Sequence, residues 1–136
     1  MAKLIALDIG GKRTGIAETD FLQMVASPRE TVTTDILIEH LKTMAGEESF
    51  EAIVVGEPKN LDGGDSDNSK RVREWVKKLK RVFPNVSIEL EDERFSSKMA
   101  MGFMVEGGMK KKQRRQKGEV DKMSAAIILQ SYLNRR

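Results

Sequence analysis

Residues 4–9 read Leu-Ile-Ala-Leu-Asp-Ile and run directly into Gly10-Gly11. An apolar run this short suits a buried strand that delivers Asp8 to a sheet edge, and the two glycines permit a tight turn. Thr14 to Thr19 then supplies a second strand beyond the Lys12-Arg13 tip, so residues 3 to 20 are expected to form a β-hairpin. Thr31 to Thr33 is expected to add a third strand. A chain that opens this way begins as a sheet with a carboxylate built into it.

Helical spacing follows. Thr34 or Asp35 is placed to cap a helix to about Glu48, with Leu37, Leu41 and Met44 at helical intervals. Ala52 to Gly56 reads as a buried strand, and a polar, Asp-rich loop runs from Glu57 to Asp67. The spacing predicts a second helix from about Asp67 to Phe83, its apolar stripe formed by Val72, Val76, Leu79 and Phe83, with Pro84 ending it. Trp75 lies beside that stripe and reads as core. Val86 to Glu91 alternates as a strand and leads into Asp92-Glu93-Arg94. A third helix is expected from Ser96 or Ser97 to near Gly107, then the basic run Lys110 to Lys117 as a loop closed by Gly118. A final helix is expected from about Val120 to Arg135 with Met123, Ile127 and Ser131 on one side. This order makes the fold α/β with a mixed sheet, and 136 residues provide for one domain, residues 1–136.

Composition narrows the chemistry. The chain has no cysteine, which removes disulfides, thiolate nucleophiles and Cys-based zinc sites, and its single histidine, His40, cannot form a histidine metal cluster. The opening residues lack the apolar stretch of a signal peptide and no run approaches the roughly 18 apolar residues of a membrane span, so the chain reads as cytoplasmic, with no membrane partner. Any catalysis must come from carboxylates, cations, hydroxyls and bound metal.

Three acidic positions fall where such a sheet can gather them: Asp8 ending the first strand, Asp92-Glu93 ending the last, and Asp121 at the start of the final helix. Carboxylates without His or Cys make a hard-oxygen site suited to Mg²⁺ or Mn²⁺ sharing its remaining ligands with phosphate and water. Taken singly, Asp8 also reads as a turn former, Asp121 as a helix-start carboxylate and Asp92-Glu93-Arg94 as a surface ion pair. Strand alternation puts Asp92 with Ile88 and Leu90 and puts Glu93 with Glu89 and Glu91, and leaves both open as ligand.

Net charge is only +3, but cations are clustered. Lys12 and Arg13 at the hairpin tip are candidates for holding a substrate phosphate, or are solvated turn residues. Arg94 is a candidate to orient Glu93 or contact phosphate. Lys110, Lys111, Lys112, Arg114, Arg115 and Lys117 form a basic run suited to closing over nucleic acid, and residues 70–81 hold a second concentration of cations. Aromatics are too few and scattered to make a base-stacking platform.

Four segments, Ala-Leu-Asp-Ile-Gly-Gly-Lys-Arg-Thr-Gly-Ile-Ala (6–17), Val-Val-Gly-Glu-Pro (54–58), Asp-Glu-Arg-Phe-Ser-Ser (92–97) and Val-Asp-Lys-Met-Ser-Ala-Ala-Ile-Ile-Leu (120–129), occur in order across nearly the whole chain. Together they closely resemble the YqgF family of pre-16S rRNA nucleases and Holliday-junction-resolvase-like proteins. The resemblance implies a ribonuclease-H-like three-layer fold with a mixed five-stranded sheet flanked by helices. It implies a metal-dependent nuclease that processes the 5′ end of the 16S rRNA precursor, with Mg²⁺ or Mn²⁺ held by Asp8, Glu93 and Asp121, and it is what favours Glu93 over Asp92. The partners it implies are structured RNA and the pre-ribosomal particle, with branched DNA as the alternative substrate and the chain a monomer or weak homodimer. Two departures are visible: Glu57 stands where the family more often has an apolar residue, and Ser96 and Ser97 where it has Thr. The competing functions are a Holliday junction resolvase, a non-catalytic RNA-binding assembly factor, and a sugar-kinase-like phosphate loop at residues 8–15. The last needs two such domains closing on ATP, which this length excludes.

Overall fold

A computed structural model of the chain describes residues 2–58, 68–92 and 117–136. The helix expected from Ser96, most of the loop after Glu57, and Glu93, Arg94, Lys110, Lys111, Lys112, Arg114 and Arg115 lie outside them.

Strands β1 (Lys3–Ile9), β2 (Arg13–Thr19) and β3 (Ala26–Thr33) form an antiparallel meander. A single 3₁₀ turn, Thr34–Ile36, leads into α1 (Leu37–Glu47), followed by β4 (Phe50–Glu57), α2 (Ser69–Val82), β5 (Ser87–Asp92) and α3 (Lys117–Arg135). The sheet order is β3-β2-β1-β4-β5, with β4 parallel to both β1 and β5. Parallel neighbours need crossovers, and α1 and α2 supply them.

Alternation along β1 sends its two sets of side chains into two cores. Ile5, Leu7 and Ile9 join Leu37, Leu41 and Met44 of α1 and Val72, Val76 and Leu79 of α2, with Phe50 and Phe83 meeting edge to face at 6.1 Å. Leu4 and Ala6 face the other way and meet Ala125, Ala126, Ile128 and Leu129 of α3. The small residues on this second face, Ala6, Ala17 and Ala52, let α3 lie close to the strands. Trp75 is partly buried against the first core, as its position beside the stripe predicts. The three layers are thus α1 and α2, the sheet, and α3.

The expected third strand covered only residues 31–33, whereas β3 begins at Ala26. Residues 26–30 include Pro28, Arg29 and Glu30, poor strand formers held in place by pairing with β2, with Arg29 bulged out of register. Arg29 and Lys3 both pair with Glu18 and Glu48, at 2.6–3.4 Å. Burial alone would lower the Arg29 pKa, but these carboxylates outweigh it and hold it above its ordinary value. The final helix also starts earlier than expected, at Lys117, so Lys117 and Gly118 belong to its first turn and do not close a loop.

Candidate functional site

Asp8 sits on the same face of β1 as Leu4 and Ala6, the face covered by α3, and its register partner on β2 is Gly15. A Cβ built on Gly15 would lie 2.0 Å from the carbonyl oxygen of Asp121 and 2.7 Å from the amide nitrogen of Lys122. The backbone of α3 therefore rests directly on Gly15, and the strand pair opposite it presents Asp8. Glycine inside a strand often marks such a close backbone approach. This is how residues 8 and 121 come to share one face at one level of the sheet.

Arg13 lies on that face too, two residues before Gly15, and its Nε donates to Asp121 Oδ2 at 3.0 Å. The pair is partly open to solvent, with side chains 38% and 26% exposed. Asp121 is five residues into α3, not at its first position, so a helix-start role does not account for it.

Several bonds fix the β1–β2 turn on which this geometry depends. Thr34 Oγ1 donates to the Gly10 carbonyl at 2.7 Å and accepts from Thr14 Oγ1 at 2.9 Å, both hydroxyls being buried. The amide of Thr34 donates to the Lys12 carbonyl at 2.9 Å, and Asn68 Nδ2 donates to the Ile9 carbonyl at 3.1 Å. Thr34 and Asp35 are the expected caps of the following helix, but its N-cap is Ile36, and Thr34 anchors the turn instead. Lys12 is at the exposed tip, as expected.

Asp92 ends β5 opposite Glu57 and shares its strand face with Ile88, which packs on the α1–α2 core. That face is the reverse of Asp8's. Glu91, one residue earlier, faces α3, where its buried carboxylate accepts from Ser131 Oγ at 2.8 Å and from Arg135. Glu93 lies outside the described residues. Among the described residues, no group of three or more His, Cys, Asp or Glu is placed to hold a metal ion. His40 pairs with Glu30 on the far side of the sheet edge and takes no part in this face.

Arg71, which no sequence motif marks as a site residue, packs its guanidinium 3.4 Å from where a Gly11 Cβ would be. Its signal was the cation content of residues 70–81; nothing in the sequence placed it against the turn. No helix among the described residues is long and apolar enough to cross a membrane.

Residues 2–135 match the family described as "RuvX: Holliday junction resolvase". A protein of Christiangramia forsetii named "Putative pre-16S rRNA nuclease" is 47% identical over 133 residues, covering 98% of each chain. One of the same name from Parabacteroides distasonis is 45% identical over 133 residues, covering 98% of this chain and 95% of its own. Among solved structures, "T. thermophilus RuvC in complex with Holliday junction substrate" superposes with a TM-score of 0.59 at 15% identity, covering 99% of this chain and 96% of that one. The mixed five-stranded sheet is thus of the ribonuclease-H-like kind, and the chain belongs to the RuvX family, also called YqgF.

Proposed function

We propose that this chain is a nuclease that hydrolyses phosphodiester bonds with Asp8, Glu93 and Asp121 as its catalytic carboxylates, and that its substrate is the 5′ end of the 16S rRNA precursor. The observation that carries this reading is the contact between Gly15 and Asp121, which sets residues 8 and 121 on one face of the sheet. Two described carboxylates fit a hard cation, because Mg²⁺ uses one or two protein carboxylates together with phosphate oxygens and water. Asp8 and Asp121 would hold it, with Glu93 as third ligand. When bound, Mg²⁺ or Mn²⁺ supplies Lewis-acid stabilisation of a phosphate oxygen and lowers the pKa of a bound water. Arg13 orients Asp121 through its 3.0 Å bond, and Lys12 at the tip attracts the phosphodiester backbone. The relatives' name supports RNA as substrate, and with it a place on the pre-ribosomal particle in the cytoplasm. An edge strand carrying Pro28, Arg29 and Glu30 resists sheet-to-sheet pairing, which supports a monomer or weak homodimer.

The family's description and the fold shared with RuvC favour branched DNA as the second reading. One experiment separates them. Wild type and Asp8→Asn are incubated with a labelled 16S precursor leader and with a four-way DNA junction, each in Mg²⁺, Mn²⁺ or chelator. Metal-dependent cleavage of the leader by wild type alone is expected. Cleavage of the junction alone selects the resolvase reading, and equal cleavage by wild type and Asp8→Asn overturns the assignment of the site.

A further inference from the structure

The α1–α2 side of the molecule carries a second cationic feature that continues from the turn beside the candidate site. Of the 14 residues of α2, seven are Lys or Arg and only Glu74 is acidic. The helix begins next to the β1–β2 turn: Asn68 is bonded to the Ile9 carbonyl, and Arg71 is bonded to Asn68 and packed over Gly11. From there Arg71, Glu74, Trp75 and Lys78 line an open hollow of about 230 Å³ along one flank of the helix. The Lys78 ammonium sits 5.0 Å from the centroid of the Trp75 ring, which is itself seated against the core. The ring fixes the ammonium at the surface, and its face is thereby occupied, which argues against base stacking.

We infer that Arg71 and Lys78, with Trp75 between them, form a phosphate-binding groove that carries the nucleic-acid backbone across the Gly10-Gly11 turn and onto α2. The inference rests on the nucleic-acid reading above and extends it from the turn beside the carboxylates along α2. Positions 71 and 78 are two helical turns apart, so their cations lie on one side of the helix about 10 Å apart along its axis, far enough to meet separate phosphates of one backbone. A polyanion is the ligand that a seven-to-one excess of cations fits. Glu74 opposes it, and that gives the idea a signed test.

Trp75 is the only tryptophan, so intrinsic fluorescence reports on the groove directly. The protein is titrated with a hairpin RNA from the precursor leader in chelator, so that binding is read without cleavage, while anisotropy of the labelled RNA reports total binding. RNA is expected to change the Trp75 emission. Arg71→Ala and Lys78→Ala should each raise Kd about three- to tenfold and reduce the slope of log Kd against log salt by about one, and Lys78→Arg should restore binding. Glu74→Gln should tighten it. An Arg71→Ala, Lys78→Ala double variant with wild-type Kd and salt slope overturns the inference, as does full binding by anisotropy with unchanged Trp75 emission. Cleavage by the wild type is scored separately in Mn²⁺: its absence beside α2-dependent binding removes the nuclease assignment and leaves the groove.

Discussion

The Asp121 carbonyl occupies the space that a side chain on Gly15 would need, 2.0 Å from where its Cβ would be. The obstacle is backbone on both sides, so neither partner can yield by a rotamer change. In an ordinary strand interior, exchanging Gly for Ala is favourable by about 0.5–1 kcal/mol. Here the overlap dominates, and Gly15→Ala is expected to destabilise by about 1–3 kcal/mol or more and to displace α3. Urea unfolding measures it. Gly46 in α1 has nothing within 4 Å of its Cβ direction, so Gly46→Ala should instead stabilise by about 0.5–1 kcal/mol. A midpoint for Gly15→Ala at or above wild type would contradict the contact.

Arg13→Ala removes the partner of Asp121. Because the pair is partly exposed, the loss of stability should stay below about 1 kcal/mol. Under the proposed function, cleavage should fall by a larger factor, about tenfold or more, since Asp121 loses its orientation. Thermal melts and initial rates on one preparation separate the two effects; a proportionate loss in both would make Arg13 merely structural.

Ser131→Ala should cost about 1–3 kcal/mol, because it takes one donor from the buried Glu91 carboxylate while Arg135 remains. The same carboxylate raises the Arg135 pKa above its ordinary value, through its hydrogen bond first and its charge second. Glu91→Ala should be worse than Ser131→Ala, and chemical denaturation of both variants against wild type is the check.

Asp20 begins the β2–β3 loop and accepts from the amides of Met24 and Val25 at 2.8 and 3.2 Å. Those bonds, Met24's first, hold its carboxyl below the usual carboxylate range. A depressed carboxyl pKa contributes stability that is present above the unfolded value and is lost as pH falls through the folded one. Asp20→Ala should therefore melt slightly lower than wild type at pH 6, and the gap should close as pH falls below the usual carboxylate range. A gap independent of pH would mean the carboxylate is not the cause.

Much of the fold is legible because the apolar periodicity is clean. Val72, Val76, Leu79 and Phe83, and Leu37, Leu41 and Met44, are all buried as their spacing predicts. In α3 helical spacing puts Met123, Ile127 and Ser131 along one side, whereas the buried residues are Ser124, Ala125, Ala126, Ile128 and Leu129. The surface receiving the helix is built from Ala6, Gly15 and Ala17, and small residues meet small residues there. Hydrophobic size misleads where backbone approach sets the fit. β3 starts ahead of its expected residue Thr31 because pairing with β2 overrides local propensity at Pro28 to Glu30. At the candidate site, the alternation that separates Asp92 from Glu91 is legible in the sequence. The seating of α3 on Gly15 is not, since no local pattern reports a contact between residues so distant in the chain.

Arg13 and Asp121 are 108 residues apart. At about 5–20 residues per second, a ribosome takes roughly 5–20 s to make the second after the first. During that interval the β1–β2 hairpin can form, but Gly15 remains uncovered and Asp8 has no acidic neighbour from α3. A growing chain therefore cannot assemble this face until its final helix emerges. Order of synthesis thus keeps a protein proposed to cut RNA unarmed beside the ribosome that is making it.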